Sequence, residues 1–257
     1  MGNAKANCLV CGAPLVYHAQ AQPETCVYCG TTELAHAVCA EGHYVCDACH
    51  RKRGVARVRE LCRTAEERDP IALMMRLMRE SEIYPNGPEH HTLVGAALLA
   101  AYANAGGAFA RGMTLDQALD ELEQRSMQVP GGSCGFWGCC GAAVSAGQAL
   151  SIITGSTPYA SDEWAQCQRL TSLILGRLAD LGGPRCCKRS SFSAGFVAVD
   201  YIAETCGVRM DKPERVTCPF FPRNAQCLHE HCPYYPQRKR DGADETNDYG
   251  MRETSHA

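Results

Sequence analysis

From residue 70 onward the apolar positions recur at helical spacing. Ile71, Met74, Met75 and Met78 make one stripe after Pro70, and this stripe reads as core. A turn at Tyr84-Pro-Asn-Gly-Pro88 precedes Glu89-His90-His91, which opens a helix through Leu93, Val94, Ala97, Leu98, Ala101 and Tyr102. Gly106-Gly107 ends it. Thr114 and Gln117 have capping-box spacing ahead of Leu115, Leu119 and Leu122. After the Pro130 to Ser133 break, a Gly/Ala-rich helix runs to Ile153, apolar on nearly every side and so expected at the centre of a bundle. Ser161 or Asp162 caps the next, where Trp164, Cys167, Leu170, Ile174, Leu178 and Leu181 share a face, with Cys167 as a small core residue. A last helix carries Phe192, Phe196, Val199 and Ile202 to Cys206-Gly207. Strand-like alternation is confined to Leu15-Val16-Tyr17. The pattern predicts a mainly α protein: a β-containing zinc ribbon over residues 1–52, an α-helical domain over 53–205 with roughly five or six helices, a cysteine-rich segment over 206–236, and a disordered polar tail over 237–257.

Composition narrows the chemistry. The 257 residues include 18 cysteines, and the net charge is -3. That charge argues against an electrostatically driven nucleic-acid or lipid binder. The basic run from Arg51 to Arg59 reads as the solvated face of a helix. No apolar run reaches the ~20 residues a membrane span needs. The first residues lack the pattern of a secretory leader, and the cysteines fall at metal-ligand spacing, so the expectation is a cytoplasmic protein with reduced thiols. So many thiols also suit a cell with little oxygen.

The N-terminal spacing is the strongest motif. Cys8-x2-Cys11-Gly and Cys26-x2-Cys29-Gly are two knuckles, and each turn aims two sulfurs at one point. Cys39, His43, Cys46 and Cys49 follow and supply ligands for a second tetrahedral site, with His50 to spare. Zn²⁺ is the expected ion, and a module this small needs it to fold. Spacing leaves open whether the pairs close sequentially or in a cross-brace.

Downstream, Gly182-Gly-Pro-Arg-Cys186-Cys187-Lys-Arg189 places two adjacent cysteines among three cations. Pro184 reads as the first residue of a helix, which would put both thiols in its first turn and favour thiolates. Cys134, Cys139 and Cys140 open another apolar helix, and the expectation is that the two helix starts meet as one sulfur-rich, cofactor-binding site of Cys134, Cys139, Cys140, Cys186 and Cys187. Cys218, Cys227 and Cys232, with prolines and aromatics around them and Cys206 as a fourth, suit an iron–sulfur cluster or zinc; His229 and His231 are alternative ligands.

These residues, with Glu89-His90-His91-Thr-Leu-Val and Ser151-Ile-Ile-Thr-Gly-Ser-Thr-Pro, resemble an uncharacterised cysteine-rich family of anaerobic bacteria and archaea. The resemblance covers most of residues 1–236, and the Gly-Gly-Pro-Arg-Cys-Cys-Lys-Arg run is its most specific part. It implies relatives beside, or joined to, radical-SAM or SAM-dependent methyltransferase domains, and no established activity. This chain has no C-x3-C-x2-C loop and no Gly-rich nucleotide fingerprint, so it would serve such an enzyme as a protein partner. Three functions stay open: a redox or iron–sulfur (4Fe–4S) protein, an enzyme with Cys186 or Cys187 as nucleophile and His90 or His91 as base, and a zinc-bound interaction scaffold.

Overall fold

The structure is a computed structural model that describes residue 8 and residues 10–224 and 226–236, without the side chains of Asp47 and His50. The tail expected from residue 237 lies outside the described residues. These form a two-stranded antiparallel sheet and eight α-helices.

The sheet pairs β1 (Leu15–Thr25) with β2 (Thr32–Cys39), with a register irregularity between Tyr17 and Gln22. Helix α1 (Asp47–Arg63) begins inside the metal-ligand segment, where the Cys46 sulfur accepts from the Cys49 N–H as an N-cap. It continues through Val55, Val58 and Cys62, all fully buried, into the helical core. The basic run forms a solvated face only in part, with Lys52 and Arg53 exposed. Arg51 is buried and donates to the carbonyls of Ser126, Met127 and Val129 at the end of a later helix. Arg57 pairs with Glu60 and Glu80, and Arg59 with Asp120 and Glu123.

Helix α2 (Pro70–Leu77) starts at Asp69, whose carboxylate accepts from the Ile71 and Ala72 N–H groups, and it buries the expected Ile71 and Met74. Helix α3 (His90–Asn104) is buried on almost every side, so it is the axis of the bundle, packed by α1, α2, α4 (Leu115–Ser126), α6 (Gly141–Thr154) and α8 (Cys187–Cys206). Helix α6, expected at the centre, shares that role and also meets α7 (Asp162–Leu181). Gly95 allows the close approach of α3 to α6: its N–H donates to Ser145 Oγ at 2.8 Å, and a Cβ there would meet the Ser145 oxygens at 2.9 Å. The Thr114–Gln117 capping box forms as expected. The count exceeds five or six because α1 is shared with the metal module and α5 (Ser133–Phe136) is a single turn.

Helix α8 departs from expectation at its start. Cys186 is the N-cap, accepting from the Arg189 N–H, and Cys187 is the first helical residue, so Pro184 lies outside the helix. After α8 the chain returns along it. The Cys218 N–H donates to the Tyr234 carbonyl at 2.7 Å, and Tyr234 is buried against Phe192 and Phe196 with its hydroxyl 3.0 Å from Ser193 Oγ. This strap brings Cys218 to Tyr235 over the first turns of α8. Among the described residues no helix is long and apolar enough to cross a membrane.

Candidate metal centres and a cysteine-lined cleft

The eight N-terminal ligands gather into two sets, Cys8, Cys11, Cys39 and His43, and Cys26, Cys29, Cys46 and Cys49, each with its ligand atoms within 4.8 Å of one another. Pairs one and three close together, as do pairs two and four: this is a cross-brace. The antiparallel hairpin dictates it, because β2 returns Cys39 beside Leu15 and thus beside the first knuckle. Cys11 Sγ lies 3.5 Å from Cys39 Sγ, and Cys29 Sγ 3.6 Å from Cys46 Sγ. Sulfurs of a tetrahedral ion with ~2.3 Å metal–sulfur bonds sit about 3.8 Å apart, so both sets fit a zinc-sized ion. Backbone N–H groups already point at the sulfurs, from Val10 to Cys8 and from Glu41 to Cys39, each at 3.3 Å. Burial opposes ionisation of Cys8 and Cys26, but such donors prevail and lower the thiols to about 7 and about 6. His43 Nδ1 is buried without a hydrogen-bond partner, which suits a nitrogen meant for a metal.

The downstream cysteines are sorted differently from the expectation. Cys186 and Cys187 are neighbours in sequence but face different surroundings. Cys186 lines a cleft together with Cys218, Cys227 and Cys232. Phe220, Phe221 and Tyr235 wall it, and the Asn224 side-chain amide donates to Cys186 Sγ at 3.4 Å. Burial, helped by charge on Cys186, Cys232 and Cys227 and opposed by the Phe220 N–H, pushes the Cys218 thiol up to about 11. Cys206 is absent from this group for a simple reason. It ends the 20-residue α8 that Cys187 begins, so about 30 Å separates it from Cys186. Its neighbourhood is instead Thr205 and Tyr102. His229 packs its ring on Tyr235, and its N–H donates to Cys227 Sγ at 3.3 Å.

Cys187 turns toward Cys140, Gly87 and Glu89. Although the residue keeps some exposed surface, crowding desolvates its thiol and pushes it up to about 12. That reverses the expected thiolate: desolvation outweighs the cation and helix-start contributions. Cys140 is the N-cap residue of α6, Cys139 precedes it with a thiol raised mainly by burial, and Cys134 lies in α5. Of the five cysteines expected at one site, Cys187 thus lies near Cys140, while Cys186 lines the cleft with Cys218, Cys227 and Cys232.

Between the two faces sits a buried polar group that the sequence did not signal as a unit. Lys188 Nζ donates to His90 Nε2 at 3.0 Å and to the Tyr84 carbonyl at 2.8 Å, and lies 5.1 Å from the Phe220 ring centre. His90 Nδ1 donates to the Gly87 carbonyl at 3.0 Å and lies 3.4 Å from Glu89 Oε1. Glu89 accepts from the Tyr84 N–H at 3.0 Å. Burial lowers Lys188 to about 8, offset in part by Glu89. His91, the base of the nucleophile hypothesis, is committed elsewhere: its Nδ1 is 3.3 Å from the Val129 carbonyl, its ring packs on Gly141, and burial lowers it to about 4.

No curated protein and no solved structure matches the chain. A match to a known family runs from Val58 in α1 to Tyr235 at the end of the strap, taking in every helix that builds the cleft. Over residues 58–235 the chain belongs to DUF5714, a family of unknown function.

Proposed function

We propose that the chain is a zinc-holding protein of redox or sulfur–cluster chemistry, in which the N-terminal module docks a partner and the family domain carries the chemistry. The observation behind this reading is that the cysteines divide into two kinds. Seven, together with His43, lie close enough to enclose single ions, as structural metal sites do. Four others border an open cleft beside two buried cations, Lys188 and Arg189. Closed sites hold a fold together, whereas a site with free space takes a bulkier group.

The module is suited to docking. It lies outside the family match, and its hairpin exposes Val16, Tyr17 and Leu34. An enzyme that uses S-adenosylmethionine is the partner class the sequence resemblance suggests. The raised Cys187 thiol and the engagement of His91 with Val129 weigh against a cysteine nucleophile at that helix start.

Metal and acid-labile sulfide content of the protein purified without oxygen tests the reading. Iron and sulfide beside about two zinc ions per chain would support it. Zinc alone, with no visible absorption, would leave an interaction scaffold instead.

A further inference from the structure

We infer that Cys186, Cys218, Cys227 and Cys232 bind one cuboidal [4Fe–4S] cluster in the cleft between the start of α8 and the C-terminal strap. The inference rests on the cluster reading above and deepens it by naming the ligands and the cluster type.

The first argument is size. Among the described residues, the ligand groups gathered within 4.8 Å are the two N-terminal sets, and the cleft cysteines are not one of them. Four cysteines that line one cleft without gathering their sulfurs that closely do not close on a single ion. A cube of four irons and four sulfides holds its thiolates much farther apart and fills space between them.

The second argument is charge. Four thiolates on a [4Fe–4S]²⁺ core carry a net charge of about -2. Lys188 and Arg189 line the same cleft and are 3% and 5% exposed. Glu89 offsets part of the burial cost of Lys188, and an anion in the cleft would offset more of the cost of the two cations. Arg189 is oriented by the Gly182 and Pro184 carbonyls, both at 2.7 Å. Ligation takes one proton from each thiol to solvent and forms one Fe–S bond per cysteine, with no change of oxidation state when a preformed cluster is delivered.

The third argument is the surroundings of the sulfurs. Asn224 donates to Cys186 Sγ and the His229 N–H to Cys227 Sγ. Phe220, Phe221 and Tyr235 line the cleft with aromatic surface, which would shield part of a bound cluster. Such donors and such shielding are the means by which a protein sets a cluster's potential.

The test is anaerobic reconstitution of the full, zinc-loaded chain with equal amounts of ferrous and ferric iron and with sulfide, which together supply the two Fe(II) and two Fe(III) of the core. The expected result is about four irons and four sulfides per chain and a cubane EPR signal on reduction. Cys186→Ala, Cys218→Ala, Cys227→Ala and Cys232→Ala should each lose most of the iron, while Cys187→Ala and Cys206→Ala keep it. Iron retained in Cys186→Ala but lost in Cys206→Ala, or in variants of Cys134, Cys139 and Cys140, would overturn the ligand set and leave the broader cluster reading standing. No iron and sulfide in the wild type would overturn both. Asn224→Ala keeps all four ligands, so it covers the case of a cysteine variant that does not fold. It should retain the iron and lower the reduction potential, because a hydrogen bond to a ligand sulfur is lost. An unchanged potential would remove Cys186 from the ligand set.

Discussion

Lys188 and His90 form a buried donor–acceptor pair, with Nζ 3.0 Å from Nε2 and both residues almost fully shielded from water. The pair ties the start of α8 to the start of α3. It also assigns the imidazole: Nε2 accepts from the ammonium, so Nδ1 carries the proton toward the Gly87 carbonyl. His90→Leu would leave a buried cation one acceptor short. The expected loss is about 2–3 kcal/mol in urea unfolding at fixed zinc concentration. A loss below about 0.5 kcal/mol would mean that water replaces the imidazole.

The cross-brace makes a prediction that sequential ligation does not share. Cys11 belongs with Cys39, and Cys29 with Cys46. The double variant Cys11→Ala/Cys39→Ala should therefore hold one zinc, and Cys11→Ala/Cys29→Ala none, read by native mass spectrometry. If the first knuckles shared an ion, the second variant would instead keep one zinc.

Cys187 should be a slow nucleophile. Its thiol is pushed up to about 12, chiefly by burial. At pH 7.5 its alkylation in the metal-free chain should be at least about 10-fold slower than that of a free thiol with a pKa of ~8.5. Rapid labelling of Cys187 in a mass-spectrometric time course would restore the nucleophile hypothesis.

His91 gives the fold an acid-sensitive element. Its pKa falls from 6.5 to about 4, so it stays neutral in the native state while the unfolded chain takes up a proton. The stability it contributes is complete above the unfolded pKa and is lost as pH falls from 6.5 toward 4. Between pH 7 and pH 5 that loss should be about 2 kcal/mol. The measurement is the difference in pH slope between the wild type and His91→Gln. Equal slopes would show that His91 titrates as if exposed.

Local signals in this chain are well obeyed. The Thr114–Gln117 box, the buried stripe at Ile71 and Met74, and the buried Cys167 follow from neighbours in sequence. The two knuckles and the Cys39 to Cys49 run likewise announced eight ligands, since such short spacings are local. Their pairing was not legible, because it depends on how a hairpin returns. The division of Cys186 from Cys187 was hidden as well: successive residues at a helix start point about 100° apart, and only packing says toward what. Cys206 seemed a ligand by sequence proximity to Cys218, but a rigid helix carries it away while a returning strap brings Cys218 back to Cys186. The Lys188–His90 pair joins residues 98 positions apart and had no sequence signal.

Helix α1 carries Cys49 in its first turn, Arg51 on the end of α4, and Val55 and Val58 in the core. The boundary that ligand spacing draws after residue 52 is thus not a place where the polypeptide can be divided. A fragment beginning at residue 53 would leave the last carbonyls of α4 without their guanidinium. One ending at residue 52 would cut the last metal ligand's helix after its first turns. Proteolysis should accordingly nick the β1–β2 turn before it separates the two parts, and any partner gripping the hairpin would pull directly on the helical core.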